Sequence, residues 1–460
     1  MSKLYRSAKT QPYPSSYRYG WLPDPGSESW AKFHAEVNEA VEAIASIRGD
    51  EDWIDPTIIE LLEYLRDEPT ASYLMATACR QNLTMLKTED LDTDGVPIPW
   101  IPNATYFSLV CNYLLTWWPH FIDDDLVGLP FSGFTVGIDP TLPGSQLLGL
   151  PEFNEKMGAV LNKWHEFLGT EASAQGFAVE GEQWLSRKAK KSYEFDLWEK
   201  DSPTLPYWSS WNSFFTRQFK NPASARPIAA PDSNQIVNCP NDGSLFRWDW
   251  QVQADDTFWF KDMKYSLRDI LSSPLPEQQR VIDEFDLVSL FEGGYVFQTY
   301  LNPYNFHRWW VPANGKVLFD PISIPGAYFN KLILPDFGGA TTASLPYLTE
   351  VNARGLMVIE TPDYGLVCCI PLGMSEVSTI SFDDQMKAGV EVSKGQEMGM
   401  FNYGGSSFVI IFQNLPDKQL VFMDDQGNHY PQRPEGATNS SGAGANVTNI
   451  GSQIGVWYSR

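Results

Sequence analysis

The feature that most constrains this chain is a change of hydrophobic period near residue 200. Before it, apolar side chains recur at three- and four-residue spacing: Trp30, Phe33, Val37 and Val41, then Ile58, Leu61, Leu62 and Leu65. That spacing gathers them on one face of a helix. Further helices are predicted over 72–86, 106–118 and 152–168. After the change, short apolar runs follow one another, separated by turns such as Asn314-Gly315 and Pro325-Gly326. They predict strands at 235–239, 257–261, 294–300, 316–319, 356–360, 366–372, 377–382 and 407–412, with a short helix at 266–271. The expected class is therefore α+β. An extended Pro-, Gly-, Ser- and Tyr-rich arm (1–29) precedes a helical domain (30–200) and a β-rich domain (201–460). Within the last, about 431–455 is poor in apolar residues and rich in Gly, Ser and Asn, and is predicted mobile.

With 460 residues, 43% of them hydrophobic and 20% charged, the chain can bury a large core. Its 17 tryptophans either thicken that core or line deep apolar pockets. The net charge of −24 repels phosphate backbones and anionic headgroups, which argues against nucleic acid and lipid surfaces as partners. The start, Met1 to Ser7, has no apolar core of a secretory signal. The longest apolar stretch, 107–121, is broken by Asn112, Thr116 and His120, too short and too polar to cross a bilayer, so no integral membrane segment is expected. Five cysteines at spacings unlike a metal site fit a reducing cytoplasm, and adjacent Cys368 and Cys369 read as packing residues on opposite faces of a strand. No feature sets an oligomeric state.

Chemistry enters at Gly404-Gly405-Ser406-Ser407, at the mouth of the apolar run Phe408 to Phe412. Glycine removes the steric wall beside a peptide carbonyl and permits positive φ, so a following serine hydroxyl can approach the carbonyl before it. That is the geometry of an N-to-O acyl shift; a glycine turn with a serine cap explains the same letters. Two further islands accompany it. Cys239-Pro240-Asn241-Asp242-Gly243 presents a carboxylate on a turn, and His307-Arg308-Trp309-Trp310 carries an imidazole. Taken singly, Asp242 also reads as a turn cap and His307 as a structural histidine.

Together these islands resemble the phosphatidylserine decarboxylase family of pyruvoyl enzymes. The likeness extends through Phe214-Phe215-x-Arg217-x-Phe219, Arg226-Pro227, Lys261-x3-Tyr265-Ser266-Leu267, Ile324-Pro325-Gly326, the strand from Asn352 to Glu360, and Lys394-Gly395-Gln396-Glu397-Met398-Gly399. It covers about 205–415 in the right order. The helical extension in front, and GGSS in place of the family's usual LGST-type sequence, look most like the fungal-type branch that includes soluble L-tryptophan decarboxylases.

The resemblance implies a self-processing proenzyme, with a decarboxylase-like fold for the β-rich domain. Ser406 would attack the carbonyl of Gly405; elimination would then cut the chain between them and leave a pyruvoyl group derived from Ser406, with no metal and no pyridoxal phosphate. That ketone condenses with a substrate amine and accepts the electron pair released with CO2. The implied substrate is a small soluble amino acid, aromatic by the branch resemblance. The family matures through an Asp–His–Ser triad. Asp242 matches its aspartate and Ser406 its serine, and Ser407 follows beside the site. The second motif is typically HRxH in the family; here His307 matches the first histidine, associated with decarboxylation and protonation, and Trp310 replaces the second. An indole N–H donates a hydrogen bond but takes up no proton at neutral pH. Two alternatives therefore stay open: phosphatidylserine decarboxylation itself, and an uncut relative used for binding or for other small-molecule chemistry.

Overall fold

The computed structural model describes residues 27–46, 53–88, 100–122, 125–126, 128–139, 141–255, 266–301, 305–329, 333–334, 338–339, 345–376, 379–432 and 447–460. The arm up to residue 26, the strand expected at 257–261, and Lys261 and Tyr265 lie outside them. The chain divides into two compact units. One takes the chain up to Ala189 with Ser209–Trp211 and Ala327–Leu345; the other takes Lys190–Trp208, Asn212–Gly326 and Pro346–Arg460.

The first unit is helical. Pro56–Asp67 starts where its sequence directs: the Asp55 carboxylate accepts from the Thr57 N–H, and Pro56 occupies a first-turn position that needs no donor. Ile58, Leu61 and Leu65 are buried along its predicted stripe, joined by Tyr64. Ala104–Leu114 is capped by the Asn103 side chain and ends earlier than the predicted 118. The residues beyond it turn, and the Trp164 indole donates to the Trp117 carbonyl at 2.8 Å. Pro151–Leu168 buries Phe153, Met157, Val160, Leu161 and Trp164. Trp30, Trp164, Trp184 and Trp211 are fully buried, so these aromatics thicken the core.

The second unit is built on a nine-stranded sheet. Its order is Glu391–Val392, Gly315–Val317, Arg354–Thr361, Gly365–Ser375, Gly405–Phe412, Tyr295–Leu301, Gly243–Trp250 and Val447–Thr448, with Ile322–Ile324 also pairing to Arg354–Thr361. Every pairing is antiparallel. One face packs Val296, Val358, Cys368, Ile370, Val409 and Ile411 against Leu267, Ile270, Ile282, Leu287 and Phe291 of three short helices. Strand alternation sends Phe297, Cys369, Phe408 and Ile410 to the other face, where they are equally buried. Cys368 and Cys369 thus do point to opposite faces, and all five cysteines are buried thiols. With both faces covered, the strands read as continuous apolar runs.

Two three-stranded sheets complete the unit. Arg308–Trp310 pairs with Glu397–Phe401, which pairs with Ile380–Phe382; Gln453–Ser459 lies between Lys418–Phe422 and Ile236–Asn238. Part of the tail expected to be mobile is therefore sheet. Residues 433–446 lie outside the described ones, but Val447–Thr448 pairs with Gly243 and Ser244, and Gln453–Ser459 is bonded on both edges. Its glycines and serines sit among Ile454, Val456 and Trp457, all buried.

Candidate active site

Ser406 is the second residue of the strand Gly405–Phe412 at the centre of the large sheet, opposite Gly373 on one side and Leu301 on the other. Gly404, two residues earlier, has φ +146°, a conformation that side chains with a Cβ rarely adopt. Ser406 is fully buried, and its hydroxyl has no hydrogen-bond partner among the described residues. A buried hydroxyl left unpaired costs on the order of 1–3 kcal/mol, a cost unexplained by the fold alone. Ser407 has a different environment. Its Oγ donates to the Thr299 carbonyl at 2.6 Å and accepts from Gln298 Nε2 at 3.0 Å. One serine is fixed by structure; the other is held in reserve.

The neighbouring strand is irregular where it faces this point. The register shifts between Gly373 and Ser375, and Ser375 stands opposite Gly405. Asn352 pins the irregularity, its Nδ2 donating to the carbonyls of Gly373 at 2.9 Å and Met374 at 3.0 Å.

His307 is fully buried, its ring stacked on Phe215 with centroids 3.9 Å apart. Tyr403 meets Phe215 edge-on at 4.8 Å, and the Phe401 N–H donates to the His307 carbonyl at 2.9 Å. Burial, and then the Arg217 charge, hold the imidazole well below its usual pKa, against a smaller opposing pull from the Asn305 carbonyl. The ring is therefore neutral at pH 7. Its Nδ1 has no partner among the described residues.

Asp242 is buried at the end of a tight turn. Arg226 donates from Nε to Oδ1 at 2.9 Å and from Nη2 to Oδ2 at 2.7 Å, and the Ile450 N–H donates to Oδ1 at 2.8 Å. No histidine among the described residues bonds to it. Trp310, at the position where the resemblance implies the triad histidine, donates its backbone N–H to Pro240 at 2.8 Å. Its indole packs edge-on against Phe306 and Phe219, and the Arg226 guanidinium lies over Phe219 at 5.1 Å. A fork-shaped ion pair thus holds the Asp242 carboxylate. The sequence presents Arg217 and Arg226 as motif letters without a role and gives no signal for Tyr403; the ring contacts and ion pairs that define them link distant parts of the chain.

Comparison with known proteins identifies the family. The family model described as phosphatidylserine decarboxylase matches residues 211–429, and a second model of that description matches 55–193. A protein named decarboxylase iboD, from Amanita muscaria, is 34% identical over 323 residues, covering 65% of this chain and 87% of that one. An L-tryptophan decarboxylase of Psilocybe cubensis is 30% identical over 230 residues, 47% of this chain and 49% of its own. Phosphatidylserine decarboxylase proenzyme 2 of Oryza sativa subsp. japonica is 28% identical over 209 residues, 45% of this chain and 30% of its own. With matched segments in both halves and a relative covered over most of its length, the chain belongs to the phosphatidylserine decarboxylase family.

Proposed function

We propose that the protein is a self-processing, pyruvoyl-dependent decarboxylase of a small soluble amino acid, aromatic and of the tryptophan type. The observation that carries this reading is Ser406: buried, unbonded at Oγ, preceded by Gly405 and by Gly404 in a glycine-favoured conformation. These residues fit a pyruvoyl precursor, which needs a hydroxyl free to attack the preceding carbonyl. When formed, the group supplies a carbonyl that condenses with the substrate amine and draws off electrons as CO2 leaves.

The chain's own residues supply the rest. Neutral His307 presents an unpartnered Nδ1 that can take a proton from the ammonium group of the incoming substrate and, as the imidazolium so formed, return it to the carbon that loses CO2. Phe215 fixes the plane of that ring, and burial keeps water away from it. A soluble substrate is favoured over a phospholipid by the net charge of −24 and by the names of the fungal relatives. No helix among the described residues is long and apolar enough to cross a membrane. A second reading, an uncut relative with other chemistry, draws on Trp310 and on the Arg226 ion pair that occupies Asp242.

Intact mass under denaturing conditions tests both. The expected result is two fragments divided after Gly405, the second beginning with a pyruvoyl mass in place of serine, and a single uncut chain for Ser406→Ala. Cleavage that persists in Ser406→Ala sinks the assignment. An uncut wild-type chain favours the second reading.

A further inference from the structure

An imidazole accepts a proton only at the nitrogen that carries its lone pair, and which nitrogen that is depends on what the other one donates to. We propose that Arg217 is the positioning residue for His307: through the Asn305 carbonyl it fixes the ring proton on Nε2 and leaves the Nδ1 lone pair open. The inference rests on the decarboxylase reading above.

The Arg217 side chain is buried; its Nη2 donates to the Asn305 carbonyl at 3.0 Å and its Nη1 to the Phe214 carbonyl at 3.3 Å. The His307 ring bonds to that same Asn305 carbonyl. Because Nδ1 has no partner among the described residues, Nε2 is the nitrogen that reaches it. A carbonyl only accepts, so Nε2 carries the hydrogen and Nδ1 the lone pair. The oxygen that orients the ring is thus itself held by a guanidinium. The segment that supplies Arg217 also beds the ring: Phe215 stacks on it at 3.9 Å, and the Thr216 carbonyl accepts from Arg308 Nε at 2.7 Å. Residues 214–217 therefore grip 305–308 through side chain, ring and backbone, with His307 between them.

The surroundings of Arg217 suit a cation. Its guanidinium lies over Trp198 at 4.4 Å, Phe214 at 5.0 Å and Tyr193 at 5.9 Å. Burial, with a smaller push from Arg226, brings its pKa down to about 10 against the pull of Tyr193, Asp242 and Glu194, so it stays charged at pH 7. Arg217 is the charge that bears on His307. Phe215 is apolar, and beyond it the Tyr403 phenol is pushed well above its usual range by burial and then by the Glu376 charge, so it is neutral. A cation beside an imidazole disfavours the imidazolium, so Arg217 also keeps the ring in the form that accepts a proton. Lysine would keep the charge and lose the planar fork that spans two carbonyls.

Nitrogen NMR of full-length protein carrying isotope-labelled histidine reads the tautomer and titration of His307, which His307→Gln assigns among the five histidines. Wild type should carry the proton on Nε2 and be neutral at about pH 6.5, where an ordinary histidine is half protonated. In Arg217→Met anchor and charge are both gone: the Nδ1–H form should appear and the midpoint should rise toward the ordinary value. The same variant should release CO2 from L-tryptophan with kcat lower by at least about tenfold, less than the 10²–10⁴ of a lost base because the imidazole remains. The acidic limb of kcat/KM should move to higher pH, since the ring now charges sooner as pH falls. Arg217→Lys should hold the low midpoint while losing part of the rate. A wild-type proton on Nδ1 overturns the proposal whether or not a variant folds, which near-ultraviolet circular dichroism checks. A folded Arg217→Met with the tautomer and midpoint of wild type overturns it too. The NMR measurement needs neither self-cleavage nor turnover, so an uncut wild-type chain by intact mass overturns the self-processing reading and leaves the tautomer to decide this inference.

Discussion

Ser406 and Ser407 are neighbours in a strand, so their side chains leave on opposite faces and meet different surroundings. Ser407 satisfies Thr299 and Gln298; Ser406 is sealed in with its hydroxyl unspent. Trp310 poses the sharper question at this scale, because an indole stands where the family's resemblance implies a base. Trp310 is 6% exposed, its ring packed against Phe219 and Phe306, and the aspartate that a histidine would need is already paired with Arg226. Trp310→His should therefore leave the self-cleavage rate within about threefold of wild type, a small span beside the 10²–10⁴ of an added base. It should also destabilise the fold by about 2–3 kcal/mol, somewhat less than full truncation of a buried tryptophan. Time-resolved intact mass and urea unfolding measure the two effects. A tenfold or greater acceleration would show that the missing histidine limits maturation.

At the level of elements, the candidate site depends on the segment whose sequence says least. The Gly451 N–H donates to the Cys239 carbonyl and the Cys239 N–H to the Ser452 carbonyl, both at 2.8 Å, while the Ile450 N–H reaches Asp242. The C-terminal segment thereby shapes the turn that presents the carboxylate. Composition pointed the other way, since Gly, Ser and Asn look solvated until long-range pairing buries their backbone. The long apolar runs around 366–372 and 407–412 were legible because each is buried on both faces, whatever its partner. Gly243–Trp250 and Arg308–Trp310 were not, being interrupted by charge or too short to show a period. The motif letters Asp242, His307 and Ser406 could be read in order; the diversion of Asp242 to Arg226 could not, for an ion pair across a folded turn leaves no local pattern. Arg226→Met tests that link. It leaves a buried carboxylate with one backbone donor, and loss of one partner from such a pair costs about 3–5 kcal/mol. Urea unfolding should reveal a loss of this size, and a change below about 1 kcal/mol would mean the pair is solvated.

For the molecule as a whole, cutting after Gly405 would divide the second unit through its central sheet. The smaller fragment would then begin at the strand that runs from Ser406 to Phe412. That strand is bonded along its length to 367–373 on one side and 295–301 on the other. The same fragment carries Lys418–Phe422 and Gln453–Ser459, which together extend the sheet of Ile236–Asn238, and Val447–Thr448, which pairs with Gly243–Trp250. Phe408, Val409, Ile410, Ile411 and Phe412 are all buried, so separation would expose a core strand and leave two open sheet edges. The cut protein should accordingly elute as one species at the mass of the full chain under native conditions, and resolve into two fragments only in denaturant. Its unfolding should be a single transition in which both fragments are released together. Size-exclusion chromatography with mass detection, run with and without guanidinium, makes the measurement. Loss of the small fragment in native buffer would mean that its strand is held less firmly than two full ladders and a buried face require, and the pairing of 406–412 at the centre of the sheet would have to be abandoned.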